Sequence, residues 1–309
     1  MAMLLFPTDS LEKSQVERDY QTEYEAAQKA GFHVALFDFD ALTHDESLNR
    51  VLRFLPPDTD SKTCFLRSWM MRVEDYARLE NGIKSRGITL GNSAEAYQFC
   101  HHLPENYPLF EGATPRSVWV ERSRFERGDD IDFDAIFEEL DVFGGSPIIL
   151  KDYVKSQKHH WKTACFIERA NDKAAVEKVV RRFLELQGDF LVGGLVFREF
   201  VELCSIGNHP QSGMPLAAEW RVFWADKQPI LIAPYWAGTE LNIGETPDVS
   251  QFQALANQVP SRFWTMDLAQ KQDGEWIVVE LGDGQVAGLP SLELAEDFHA
   301  KFASVFNHI

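Results

Sequence analysis

Phe263-Trp264-Thr265-Met266-Asp267-Leu268-Ala269, a polar break at 270–275, and Trp276-Ile277-Val278-Val279-Glu280-Leu281-Gly282-Asp283-Gly284 decide how this chain is read. Both flanks are rich in strand-forming residues and Asp273-Gly274 between them is a turn signal, so the stretch reads as two antiparallel strands and a turn. On such strands Asp267 and Glu280 can face one pocket. Two carboxylates in so apolar a setting are costly to bury unless a cation meets them. Magnesium, which takes one or two carboxylates plus substrate phosphates, suits the pair. The plain alternative is an acidic hairpin with both side chains in water, and only the middle of the chain displaces it.

The 309 residues are 45% hydrophobic and 25% charged, an ordinary globular composition for one large domain or two to three packed ones. A net charge of −18 disfavours a nucleic-acid-coating role. No apolar run approaches the roughly 20 residues of a membrane span. The apolar start, Met1 to Phe6, lacks a basic leader and does not read as a signal peptide. Cys64, Cys100, Cys165 and Cys204 have no paired spacing, which fits reduced thiols in a cytoplasmic protein.

From the N-terminus, residues 10–30 read as a helix capped by Asp9 or Ser10 and stopped by Gly31, and 32–39 as a buried strand ending in acids. Residues 45–53 and 73–85 are further helical candidates. Pro104, Pro108, Gly112 and Pro115 mark an irregular connection and a boundary near 115. Residues 116–122 resume strand character, an acidic loop from Arg127 leads to a short helix ending at Asp141, and Gly144-Gly145 precede a strand that delivers Lys151. Residues 161–168 read as a strand, and 171–188 as a helix burying Val176, Val179, Val180, Phe183 and Leu184. A long strand covers 191–202 and a polar loop 203–215. Strands from Glu219 to Trp224 and Ile230 to Trp236 flank a turn at 226–229, and 250–259 look helical.

Charge concentrates in the middle. Between Ser146 and Arg182 there are nine Lys/Arg against four Asp/Glu, a basic window suited to a polyanionic ligand. Arg181 and Arg182 read as the solvated face of their helix. Lys151 closes an apolar strand, Ile148-Ile149-Leu150, and is poised against a phosphate.

The order strand-Lys151, Arg198-Glu199-Phe200-Val201-Glu202, Glu219-Trp220-Arg221, then Asp267 and Glu280 resembles the ATP-grasp superfamily over about residues 116–290. The resemblance implies an α+β fold of two lobes clasping ATP, preceded by an N-terminal α/β domain. Its divisions are 1–115 for that domain, 116–202 for the small lobe with lid and linker strand, and 203–309 for the large lobe with the metal site. It implies ATP and Mg2+ as cofactors, with Lys151 and Lys155 at the phosphates. Glu199, Phe200, Val201 and Glu202 fall on the adenine-contacting linker, and Glu219 and Arg221 at ribose and phosphate. Asp267 and Glu280 fall on the metal ligands. Many members carry Asn two residues after the metal Glu; here that position is Gly282, with Asp283 behind it as a substitute ligand.

The activity implied is an Mg-ATP-dependent ligase joining a carboxylate to an amine through an acyl phosphate, with small-molecule or peptide substrates. Arg198 stabilises a developing oxyanion in that scheme, or pairs structurally with Glu219. Lys155, His159 and His160 lie in a segment that would close over the nucleotide, although an exposed loop is the simpler account of the two histidines. A nucleotide-binding or phosphotransferase protein of the same fold, acting on nucleic acid or peptide, is a second reading. A third uses Asp38 and Asp40 as the nucleophile and acid/base of a phosphatase; Ala41 and Leu42 depart from that pattern, and a solvated strand-end pair fits better. His101-His102 beside Cys100 suggests a metal site, but adjacent helical residues point apart. The eight tryptophans read as core, and Trp69 and Met70 as candidates for lining an acceptor pocket.

Overall fold

A computed structural model describes residues 2–56, 60–128, 130–208, 211, 213–236 and 245–306. Its first sheet is built from β1 (Met3–Pro7), β2 (His33–Phe37), β3 (Thr63–Leu66) and β4 (Thr89–Leu90), all parallel, in the order β2-β1-β3-β4. Leu4, Leu5 and Phe6 are fully buried, as a strand covered on both faces requires. One face packs on α2 (Val73–Lys84) through Tyr76, Leu79 and Ile83. The other face packs on α1 (Gln21–Lys29) and on α7 (Ala295–Phe306) from the far end of the chain.

The expected helix over 10–30 is much shorter. Asp9 Oδ1 accepts the N–H groups of Leu11 and Glu12, so the residue read as a helix cap closes a local turn instead. Residues 45–53 hold only the single turn Leu48–Val51, after a separate short helix Phe39–Thr43. Two helices, α3 (Ala94–His101) and α4 (Leu103–Phe110), then lead to the second sheet.

That sheet orders β5 (Ser117–Glu121), β8 (Gly194–Glu199), β6 (Ile148–Asp152) and β7 (Phe166–Ile167), with β8 antiparallel to β5 and β6, and β7 antiparallel to β6. α5 (Phe133–Leu140) and α6 (Lys173–Gln187) complete its core. The strand expected over 161–168 is mostly a π-helical turn, Trp161–Cys165. Coiling lets the rings of Trp161 and Phe166 stack at 5.4 Å, whereas residues five apart on a strand sit about 16 Å apart on opposite faces. The strand expected over 191–202 is confined to Gly194–Glu199. Gly193 turns at φ +68° directly under the Tyr153 ring, and Phe200 packs on Phe166.

The third sheet is antiparallel: β9 (Glu219–Ala225), β10 (Gln228–Pro234), β11 (Phe263–Gln270) and β12 (Trp276–Asp283), ordered β10-β9-β11-β12. Asp226 and Lys227 take φ of 41° and 70° in the tight β9–β10 turn. Residues 203–215 are not wholly loop, because Ser205–Asn208 pairs with Pro215–Ala217. Residues 250–259 contain a 3-10 turn and one α turn, Gln253–Ala256. In the decisive hairpin Asp267 lies opposite Glu280 and Thr265 opposite Gly282. The register then slips, so that Leu268 faces Val278 and Val279 bulges. Three cysteines are buried and Cys204 half-buried, all free. Among the described residues no helix is long and apolar enough to cross a membrane.

A buried knot joins the first and third sheets. Arg67, 1% exposed, donates Nε and Nη2 to Glu23 at 2.7 and 2.9 Å, and Nη1 to the carbonyls of Gly284 and Ala287. His299 Nε2 stands 3.3 Å from Glu23. Burial pushes the Glu23 carboxyl up, but Arg67 and His299 outweigh it and bring the pKa down to about 2. A depressed folded pKa adds stability above the unfolded value of 4.5 and loses it as pH falls toward 2. Glu23→Gln is expected to cost on the order of 3 kcal/mol at pH 7 by stranding the guanidinium. In urea titrations the gap between the two proteins should narrow as pH drops from 4.5 toward 2.

Candidate functional site

The hairpin's pleat sends side chains of residues paired across it to one face. Asp267 and Glu280 therefore project together, and β9 adds Arg221, the cross-strand partner of Asp267. Arg221 donates Nε and Nη2 to the two Asp267 oxygens at 2.8 and 2.7 Å, a bidentate fork. Its third arm reaches the Gly288 carbonyl at 3.3 Å, and its plane lies 4.6 Å over the Tyr235 ring. From the second sheet, Lys151 Nζ donates to Glu280 Oε1 at 2.7 Å. The lysine from mid-chain and the two late acids do converge.

Burial raises the Asp267 carboxyl, Glu280 adds repulsion, and Arg221 opposes both; the balance stays upward. Burial also pushes Glu280 up, but Lys151, Arg198 and Arg221 outweigh it and the carboxyl ends below its usual range. The Glu280 side chain is 47% exposed, so it meets solvent within the cleft. Half-buried Glu219 is raised to about 7, by burial first and then by Asp267. A surplus of negative charge thus persists on this face despite two bound cations. That surplus, with oxygen-only donors, fits a hard divalent ion.

A cavity of about 250 Å³ opens here, lined by Lys155, Arg221, Tyr235, Asp267, Glu280 and the 286–288 loop among others. Met70 also lines it, as expected of an acceptor pocket, while neighbouring Trp69 packs between Tyr20 and Phe39. Tyr235 and Thr265 line the cavity without having been singled out in the sequence; no spacing signal marks either. Lys151 and Arg198 line a smaller adjoining hollow of about 20 Å³.

Several expected site residues stand elsewhere. Asp283 leaves the strand on the face opposite Asp267. It is fully buried, receiving Asn92 Nδ2 at 2.6 Å and the Gln285 amide at 2.9 Å, and burial raises it to about 7. Among the described residues no group of three His, Cys, Asp or Glu could hold a metal ion, so Asp283 does not complete a triad with Asp267 and Glu280. Arg198 does not pair with Glu219. It donates to the carbonyls of Val279 (2.6 Å) and Val278 (3.2 Å) and to Thr114 Oγ1 (2.6 Å), and so holds the backbone at the bulge. Glu199, Phe200, Val201 and Glu202 do not line the 250 Å³ cavity. Glu199 pairs with Ile148, Phe200 packs between Trp161 and Phe166, Val201 is half-buried and Glu202 exposed.

Asp38 is 1% exposed, held by Lys13 (2.9 Å), Arg53 (3.2 Å) and the Ala41 amide that it caps. It is therefore not one of a solvated pair; only Asp40, at 51%, is exposed. His101 turns toward β12 and accepts the Asp283 N–H, while the His102 ring meets Tyr153. Burial lowers His101 to about 4, which keeps it neutral near pH 7. The two histidines point apart, as expected.

Arg221→Leu would leave Asp267 buried without its partner and raise its pKa further. A raised folded pKa gives stability that is present at low pH and lost as pH climbs through it. The variant is expected to lose about 3 kcal/mol relative to the native chain at pH 8 and less at pH 5. Guanidinium unfolding at both pH values checks this; equal losses would contradict the charge assignment.

A family model described as an ATP-grasp domain, the third family of its clade, matches residues 142–302. No curated protein matches the chain. Among solved structures, a RimK domain ATP-grasp protein from Sphaerobacter thermophilus aligns with a TM-score of 0.60 at 15% identity, covering 99% of both chains. D-alanine–D-alanine ligase from Bacillus anthracis, complexed with ATP, gives 0.57 at 14% identity, covering 99% of this chain and 95% of its own. The ATP-grasp ligase PsnB, with a phosphomimetic variant of its minimal precursor, Mg and ADP, gives 0.56 at 16% over 98% and 97%. At such identities the likeness is one of fold.

Proposed function

Since the chain belongs to this ATP-grasp domain family, we propose that it is an Mg-ATP-dependent ligase joining a carboxylate to an amine. The observation that carries this reading is the meeting of Lys151 with Glu280 at 2.7 Å, beside Asp267, at the cavity. We read residues 1–115 as the acceptor-binding α/β domain, 116–202 as the small lobe and 203–309 as the large lobe. Small molecules or peptides are the substrates.

Lys151 and Lys155 hold phosphate oxygens as point charges. Asp267 and Glu280 hold magnesium, which when bound neutralises phosphate charge and stabilises the leaving diphosphate. Arg221 keeps both oxygens of Asp267 oriented, a positioning task rather than direct phosphate contact. The substrate carboxylate attacks the γ-phosphorus, the bond to the β-phosphate oxygen breaks and ADP leaves. The amine then attacks the acyl carbon, inorganic phosphate departs and the amide forms after loss of a proton. Such phosphoryl transfer needs positioning and charge neutralisation more than covalent help from the protein. Arg198, committed to main-chain carbonyls, sets the bulge instead of meeting the oxyanion.

Incubation with pools of carboxylic acids, amino acids and peptides is expected to release ADP and phosphate only when a carboxylate and an amine are both present. Lys151→Ala should lower kcat/KM by about 100-fold, roughly 2.7 kcal/mol of transition-state stabilisation. Release of AMP in place of ADP would overturn the acyl-phosphate route.

A further inference from the structure

Beside the Asp267–Glu280 pair lies a second pair on the same hairpin face, Thr265 opposite Gly282. A Cβ added to Gly282 would stand 2.8 Å from Thr265 Oγ1, closer than real contacts allow. The threonine hydroxyl therefore fills the space into which a side chain at 282 would project. Gly282 has ordinary backbone angles, so conformational freedom does not explain a glycine there. Room for the hydroxyl does.

Thr265 is 1% exposed and lines the cavity together with Asp267, Glu280 and Gly282. The hydrogen bonds of the site run from Lys151 to Glu280 and from Arg221 to Asp267, and leave the Thr265 hydroxyl to the cavity. An oxygen donor is thus presented in line with the two carboxylates, on the strand that already carries Asp267. We infer that Thr265 Oγ1 is the third protein oxygen facing the divalent cation and its nucleotide, and that Gly282 is a glycine because this hydroxyl needs its space. The inference rests on the Mg-ATP reading. It replaces Asp283, which lies on the other face, as the third member of the set.

The test is binding, not turnover. Mn2+ is titrated into the full chain with ADP and the free ion followed by electron paramagnetic resonance, with circular dichroism and thermal melts as folding controls. Thr265→Val, which keeps the shape and removes the hydroxyl, is expected to weaken Mn2+ binding about tenfold, and Thr265→Ser to retain it. Gly282→Asn alone should lose binding, because the new side chain meets the hydroxyl. Combined with Thr265→Ala it should bind Mn2+ more tightly than Thr265→Ala by itself. Native-like binding by folded Thr265→Val would overturn the role of Thr265 and leave the nucleotide reading standing. So would a double variant no better than Thr265→Ala. If the native chain takes up neither Mn2+ nor ADP, the nucleotide reading fails and this inference falls with it.

Discussion

Two carboxylates set opposite one another on neighbouring strands repel, and the rest of the site answers that repulsion. The Asp267–Glu280 register imposes it. Arg221 from β9 meets one acid and Lys151 from the second sheet meets the other, so each charge has its own cation and each cation comes from a different element. Removing either cation would leave an uncompensated charge in a partly dry cleft, which costs far more than an exposed ion pair contributes. The bulge at Val279 is part of the same arrangement. Arg198 bonds the carbonyls of Val278 and Val279, so the small lobe grips the hairpin twice, once through a side chain and once through the backbone.

The loop after the hairpin is held from two directions. Arg67 takes the carbonyls of Gly284 and Ala287, and Arg221 that of Gly288. Val286, Ala287 and Gly288 line the cavity, so a residue near the N-terminal sheet shapes the nucleotide cleft through the backbone it holds. Glu23 and His299 keep Arg67 in place, which links the cleft wall to α1 and α7.

Much of this is legible in the sequence, for identifiable reasons. The β11–β12 hairpin has alternation and an Asp-Gly turn, both local signals, and Lys151 ends a strand of apolar residues. The helix over 73–85 carries its stripe openly. What the sequence conceals depends on geometry that no short window of residues carries. The helix cap expected of Asp9 is a turn, and the strand expected over 161–168 coils, with Trp161 and Phe166 stacked on each other. Asp283 resembles a ligand because it follows Glu280 closely. One slip of strand parity sends it to the opposite face, where Asn92 and Gln285 receive it. Arg198 resembles a catalytic cation because nothing near it in the chain announces a bulge some 80 residues later.

Sharing one apolar core between the first sheet and α7 has a consequence for biosynthesis. Leu4, Phe6 and Phe32 leave the ribosome early, yet Phe298, Phe302 and Phe306, which cover them, come from the far end of the chain. Throughout translation that side of the nascent sheet stays bare and sticky, a state prone to association with other chains. Chaperone occupancy during elongation, more than the stability of the finished fold, would then govern how much of this protein a cell recovers.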